Sequence, residues 1–258
     1  MEFLRPSRRR TMLSETIYVI LNVLMAGAIL GVVLAVESPL PALGLVLLSK
    51  WRIFAVRPQH WYANLTSNLV DIIVSVSFVI WLYLASGALS AQIALTLFYI
   101  AWLLFLKPQS KRVYIVLQAG VGVFVGVTAL MHVSYDWYAS PVVLLMWLIG
   151  YSAARHVLLA YKEAHFALLS LIWGLILAEV GWLLYHWNFA YHLGFAGKLQ
   201  ISQAAIVVTL LCFLAERAYA SYHYHQTIRL NDILLPLLLT VGTIGMLLTV
   251  FGGIKGGI

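Results

Sequence analysis

Charged side chains are scarce in this sequence. Only 10% of the 258 residues are Asp, Glu, Lys or Arg, while 63% are hydrophobic. A water-soluble domain carries about 25% charged residues, so this chain has too little polar surface to cover itself in water. The surplus apolar surface must face lipid. Cysteine is almost missing: Cys212 stands alone within an apolar run, which excludes an intrachain disulfide and a cysteine metal cluster. It reads as a small buried hydrophobe. Catalytic signatures are missing as well. There is no GxxxxGK[ST] phosphate cradle and no HExxH zinc site, and the sequence implies no cofactor and no metal.

What the chain has instead is a series of long apolar runs, at 16–36, 39–56, 69–86, 89–106, 113–132, 141–161, 165–187, 199–215 and 232–251. Most match the ~20 residues that a helix needs to cross ~30 Å of hydrocarbon. The expected fold is therefore an all-α, polytopic transmembrane bundle of about nine spans. Residues 1–15 form a basic N-terminus, 16–251 one transmembrane domain, and 252–258 a glycine-rich tail. The first run is longer than the ~7–15 apolar residues of a cleaved signal peptide, so it reads as a retained signal anchor.

The net charge of +7 points to orientation in a membrane and not to nucleic acid. With nine crossings, 14 of the 16 Lys and Arg residues fall on the side of the N-terminus, leaving Lys198 and Lys255 opposite. The positive-inside rule then places the N-terminus in the cytoplasm and the C-terminus outside. The second run is the weakest, because Lys50 and Arg52 interrupt it. If it did not cross, most of those cations would change sides. Trp51, Trp61 and Tyr62 read as an inner aromatic belt, and Trp182, Tyr185 and Trp187 as an outer one. The segments 57–64 and 218–229 read as basic, aromatic loops lying along the inner headgroups. Arg8, Arg9, Arg10, Lys50, Trp51, Arg52 and Arg57 are the expected contacts for lipid or for a protein partner at that face.

Three stretches carry a resemblance: Ser49-Lys-Trp-Arg-Ile-Phe-Ala-Val-Arg-Pro, Trp147-Leu-Ile-Gly-Tyr-Ser-Ala-Ala-Arg-His and Ala178-Glu-Val-Gly-Trp-Leu-Leu-Tyr-His-Trp. With them the chain resembles a family of multi-spanning proteins from reduced-genome candidate bacteria. The resemblance implies a bacterial cell membrane and no particular activity.

Ionisable groups at membrane depth are costly and mark candidate sites. Glu179 is the deepest of them, expected about 5 Å from the midplane in the seventh run. Arg155 and His156 lie in the inner third of the sixth run, with Tyr151 and Ser152 one turn away. Gln118 adds a polar group in the fifth. These six residues outline a buried polar pathway, with Glu179 as a proton or cation site and Arg155 and His156 as an inner relay some 10 Å away. Asp71 reads as an acid in a first helical turn behind an Asn68 cap. Gly27/Gly31 and Gly122/Gly126 have the GxxxG spacing of close helix packing within the chain. Ser152 and His156 faintly suggest an intramembrane hydrolase, and His132, His186 and His192 a surface metal site. The leading expectation is a transporter for a small solute or ion, proton-linked. The alternatives are a non-catalytic membrane scaffold and, more weakly, an intramembrane enzyme.

Overall fold

The structure, a computed structural model, describes residues 12–187, 189–194 and 196–251, without the side chains of 12–15, 52, 54, 250 and 251. The helices are α1 (Met12–Ala35), α2 (Leu40–Ser49), α3 (Trp51–Phe54), α4 (Trp61–Leu84), α5 (Leu89–Ala101), α6 (Arg112–Val133), α7 (Ala139–Ala160), α8 (Phe166–His186), α9 (Gln203–His225) and α10 (Leu230–Met246). Pro58–His60 forms a 3₁₀ turn before α4, and π-turns extend α5 (Trp102–Leu106) and α10 (Leu247–Phe251). Eight helices are long and apolar enough to cross a membrane, so the chain is an all-α polytopic membrane bundle. In lipid a helix satisfies its own backbone, which is why these apolar runs take no other form.

The second expected span is a broken one. α2 covers only Leu40–Ser49, the chain turns at Lys50, and α3 adds one short turn. It nevertheless carries the chain from one end of the bundle to the other. The Tyr83 hydroxyl, near the end of α4, donates to the Val36 carbonyl just past α1 at 2.9 Å. Tyr18, early in α1, donates to Leu103 at the other end of α5 at 3.1 Å. α1 and α4 therefore run the same way, and residues 37–60 must return between them. We call the two ends of the bundle the basic end and the far end. Near the basic end lie Arg57, Lys107, Lys111, Arg112, Lys162, Arg217 and Arg229, while Lys198 is at the far end. Arg8, Arg9, Arg10 and the tail 252–258 lie outside the described residues, as does the Arg52 side chain.

Two expected loops are helical in part. α9 continues to His225, so Glu216, Tyr219, Tyr222, His223 and Tyr224 ride on its last turns. α4 starts at Trp61, well before the apolar run that announced it. At the far end a short antiparallel hairpin, β1 (Ala190–His192) with β2 (Gln200–Ser202), pairs Ala190 with Ser202, Tyr191 with Ile201 and His192 with Gln200. Its loop folds back on the α4–α5 turn, where Lys198 N–H donates to the Leu84 carbonyl at 3.0 Å. Gly197 is needed there. It sits at φ +62°, and a Cβ would meet the Ser86 carbonyl at 3.1 Å.

Two cores hold the helices together. One joins α1, α2, α4 and α5 around Phe78, Trp81, Tyr99 and Trp102, with the Phe78 and Tyr99 rings 5.0 Å apart. The other joins α6, α7, α8 and α9 around Val123, Met146, Leu177 and Val208. α7 and α8 approach most closely. Cβ atoms placed on Gly150 and Gly181 would meet the Leu177 Cβ at 2.9 Å and the Met146 Cβ at 2.8 Å, and one on Gly174 the Trp147 carbonyl at 3.1 Å. Gly122 and Gly126 pack against Val70 and Ile73, as their spacing suggested. Gly27 and Gly31 do not. They are exposed on α1 with no described residue close to them, so their spacing serves no packing among the described residues.

This contrast gives a test. Gly150→Leu overpacks the α7–α8 contact and is expected to cost about 1–3 kcal/mol, whereas Gly27→Leu is expected to leave thermal unfolding in detergent unchanged. Equal melting temperatures for the two variants would contradict the packing described.

Candidate functional site: a buried lysine–aspartate–lysine cluster

Asp71 is an interior residue of α4, not a first-turn cap. Because α4 begins at Trp61, Asp71 is ten residues inside the helix, about 15 Å from its start. Its side chain is buried, and one oxygen, Oδ2, is shared by two ammonium groups. Lys50 Nζ donates to it from the α2–α3 break, and Lys107 Nζ lies 2.9 Å from it at the end of the α5 π-turn. The other oxygen, Oδ1, is buried and has no donor among the described residues. Lys50 was expected at the inner surface. Instead it is buried, with 9% of its side chain exposed, because its charge is used by Asp71.

Both breaks in helix geometry serve this contact. A continuous helix through residue 50 would carry Lys50 on along the α2 axis. The turn there, with the Lys50 amide donating to the Leu47 carbonyl at 3.0 Å, lets its side chain reach α4. In α5 the Lys107 amide donates to Trp102 at 2.8 Å, the wider loop of a π-turn, which shifts the face on which Lys107 emerges. One turn further along α4, Ser75 Oγ donates to the Asp71 carbonyl at 2.6 Å and accepts from the Tyr99 hydroxyl at 3.1 Å. Beyond them Phe78, Trp81, Leu82 and Trp102 close the far side. Towards the basic end Lys107 keeps 34% of its side chain exposed, so among the described residues the cluster opens on that side.

The π-turn also links the cluster to two of the residues singled out in the sequence. Gln118 on α6 donates through Nε2 to the carbonyls of Leu106 at 2.6 Å and Gln109 at 3.1 Å. Its Oε1 lies 2.7 Å from His156 Nε2 on α7. Since the amide nitrogen faces carbonyls, the oxygen accepts, and His156 Nε2 must carry the proton. A belt of polar contacts therefore crosses the bundle from His156 through Gln118 and the π-turn to Lys107, Asp71 and Lys50.

The other expected pathway residues lie apart from this belt. Arg155 approaches the Tyr151 hydroxyl at 3.4 Å and covers the Phe166 ring at 5.0 Å, and Tyr151 stacks on Trp147. Ser152 donates back to the Ile149 carbonyl at 2.9 Å, so it does not meet His156. Glu179 is the main correction. It is exposed on the side of α8 that faces away from the bundle, and so belongs to no pathway between α7 and α8. Those two helices are also packed too closely to leave one. Among the described residues no group of three His, Cys, Asp or Glu side chains could hold a metal. His132 and His192 contact Gln200, and His186 packs on Trp182.

A second polar group closes the basic end on the α9 side. Tyr161 donates to Glu216 at 2.8 Å, Arg217 Nε lies 2.9 Å from the same carboxylate, and the Arg112 guanidinium covers the Tyr161 ring at 4.3 Å. In the α7–α8 connection the Tyr219 hydroxyl, followed by the His165 amide, holds the Glu163 carboxyl below its usual range. Beside this group an apolar groove of about 960 Å³ runs between α6, α8 and α9, lined by Val116, Gly120, Trp173 and Cys212.

No family model matches this chain, no curated protein matches it, and no solved structure matches its fold. The class that fold and composition define is an integral, multi-pass helical membrane protein in contact with a lipid bilayer.

Breaking a buried ion pair strands a charge and costs about 3–5 kcal/mol, whereas replacing both partners by apolar groups is close to neutral. Asp71→Leu alone is therefore expected to destabilise strongly, and Lys50→Met with Asp71→Leu to recover most of that loss, as read from thermal unfolding. A double variant no better than Asp71→Leu would contradict the pairing.

Proposed function

We propose that this protein is a proton-linked carrier of a small solute or ion, working at Asp71 in place of the Glu179 site that the sequence suggested. The observation that carries this reading is the unequal use of the Asp71 carboxylate: Oδ2 holds two lysines, while the buried Oδ1 has no donor among the described residues. A proton arriving on Oδ1 neutralises the carboxyl and loosens its hold on both lysines. Lys107, already part-exposed, then turns to the water at the basic end. Lys50 is left facing a neutral acid across the α2–α3 break. Broken helices and π-turns at membrane depth recur where carriers build their sites, because irregular backbone there is tolerated only where it serves a site.

The open side describes one access state. The aromatic layer of Phe78, Trp81 and Trp102 is the part that must move to give the other. His156 and Gln118 hold the π-turn from outside and steady Lys107. With the basic end in the cytoplasm of a bacterial cell membrane, one charge moved through ~100 mV is worth about 2.3 kcal/mol, enough to drive uptake or export.

One observation favours the scaffold reading as a second possibility. Trp51, Arg57, Trp61 and Tyr62 are exposed together at the tip of the α3–α4 connection, an aromatic and basic surface suited to headgroups or to a cytoplasmic protein partner.

Reconstituted in liposomes under a pH gradient, the wild type is expected to pass protons, with or without a co-solute, and Asp71→Asn to reduce that flux by at least about tenfold. Glu179→Gln is expected to leave it unchanged. Absence of any wild-type flux across a panel of ions and small solutes, or a flux indifferent to Asp71→Asn, would refute the carrier and leave the scaffold.

A further inference from the structure

The apolar groove beside Glu216 changes character along its length. On α6 its lining runs from Val113 to Val125, and on α9 from Tyr222 back to Thr209. At 1.5 Å per residue the α6 stretch covers about 18 Å along the bundle. One leaflet of a bilayer supplies about half of ~30 Å of hydrocarbon, so the groove is about as deep as a single leaflet. The charged residues in its lining, Glu216 and Arg217, stand at the basic end together with Tyr219 and Tyr222. Deeper in, the lining is aliphatic and aromatic apart from Thr209 and Cys212. Val113, Leu117 and Phe213 on its walls are exposed, so the groove opens sideways, towards lipid. A molecule charged at the headgroup level and apolar through one leaflet matches this order, and that molecule is a phospholipid.

The charges at the mouth of the groove narrow the headgroup. The Arg217 side chain is 46% exposed, with its Nε against Glu216 and its guanidinium carbon 5.5 Å from the centre of the Phe213 ring on the groove wall. Its terminal nitrogens have no partner among the described residues. Tyr222, exposed on the same helix, adds a hydroxyl. Arg112 covers Tyr161 and donates to Tyr224, and it pairs with no described carboxylate. Lys111, Lys162 and Arg229 flank these residues in the chain. The acids of the same region are already engaged. Glu216 accepts from Tyr161 and meets Arg217, and Glu163 accepts from Tyr219 and the His165 amide. Asp232 accepts from Ser221 and has His225 at 3.6 Å. Five cations therefore stand against three engaged acids at this end of the groove. That surplus complements a phosphate, whose oxygens match the parallel N–H groups of a guanidinium.

We propose that this groove binds one anionic phospholipid from the leaflet at the basic end, with an acyl chain lying along α6 and the phosphate resting on Arg217 and Tyr222. The test is native mass spectrometry of the full chain in detergent, titrated with phosphatidylglycerol and with phosphatidylcholine of the same acyl chains. The wild type is expected to hold one phosphatidylglycerol with a dissociation constant about tenfold below that of phosphatidylcholine. Arg217→Gln is expected to remove most of that difference while leaving phosphatidylcholine unchanged. Gly120→Leu fills the groove from α6. A Cβ on Gly120 meets nothing within 4 Å, so the variant is expected to fold, which thermal unfolding checks. It is expected to weaken both lipids about tenfold. Equal affinity of the wild type for the two lipids overturns the proposal, whether or not Gly120→Leu folds. So does a preference that survives Arg217→Gln, or wild-type binding by a folded Gly120→Leu. A second copy of the chain, present in the wild type and lost in Gly120→Leu, also overturns it and identifies that copy as the occupant. None of these outcomes bears on proton flux through Asp71.

Discussion

One carboxylate oxygen shared by two lysines organises the first half of this molecule. Asp71 draws Lys50 from a helix that ends early and Lys107 from a helix that widens into a π-turn, so a single acid fixes the relative position of α2, α4 and α5. Taking three charges out of water is costly unless geometry is close and the remaining polar atoms are satisfied. Here the lysines meet the first condition, Ser75 and Gln118 donate to the Asp71 and Leu106 carbonyls, and Tyr99 donates to Ser75. The exception is Asp71 Oδ1. A purely structural ion pair gains nothing from leaving that atom without a donor, which is why the proposed chemistry is placed there.

The second half is built differently. α7 and α8 are joined by glycine and alanine contacts with little polar chemistry, in keeping with lipid, where burial of apolar surface drives no association and close packing must do so. α8 is in consequence a peripheral helix, well attached on one side and bare on the other. The polar belt from His156 to Lys50 bridges the two halves at the level of the π-turn. A displacement of Lys107 is therefore felt by α7 as well as by α4.

The span pattern was readable because lipid leaves few choices: an apolar run of sufficient length becomes a helix, and cations collect at one end. The broken α2 was readable too, as Lys50 and Arg52 interrupting an apolar run, although its partner was not. Asp71 was misjudged for a definite reason. The polar residues Asn64, Thr66, Ser67 and Asn68 looked like the approach to a helix, but all four are already helical, and the side chains of Thr66, Ser67 and Asn68 bond back to carbonyls four residues earlier. Moving the helix start to Trp61 turns a cap into a buried charge. Glu179 was misplaced for another reason. In water, the polar side of a helix reveals which way it faces; in a membrane both sides are apolar, and nothing along residues 165–187 says which side meets the protein. The exposed Gly27 and Gly31 illustrate the same loss of information.

The account rests most directly on contact between the Asp71 carboxyl and lysine ammonium groups, and solid-state NMR in bilayers can measure it. The chain has three aspartates, Asp71, Asp136 and Asp232. Among the described residues only Asp71 pairs with lysine. With ¹³Cγ-aspartate and ¹⁵Nζ-lysine labels, one carboxyl resonance of the three should be strongly dephased by nitrogen, and it should disappear from the spectrum of Asp71→Asn. If no aspartate carboxyl is dephased, or if the dephased resonance survives in that variant, the buried cluster does not exist and the proposed proton site goes with it.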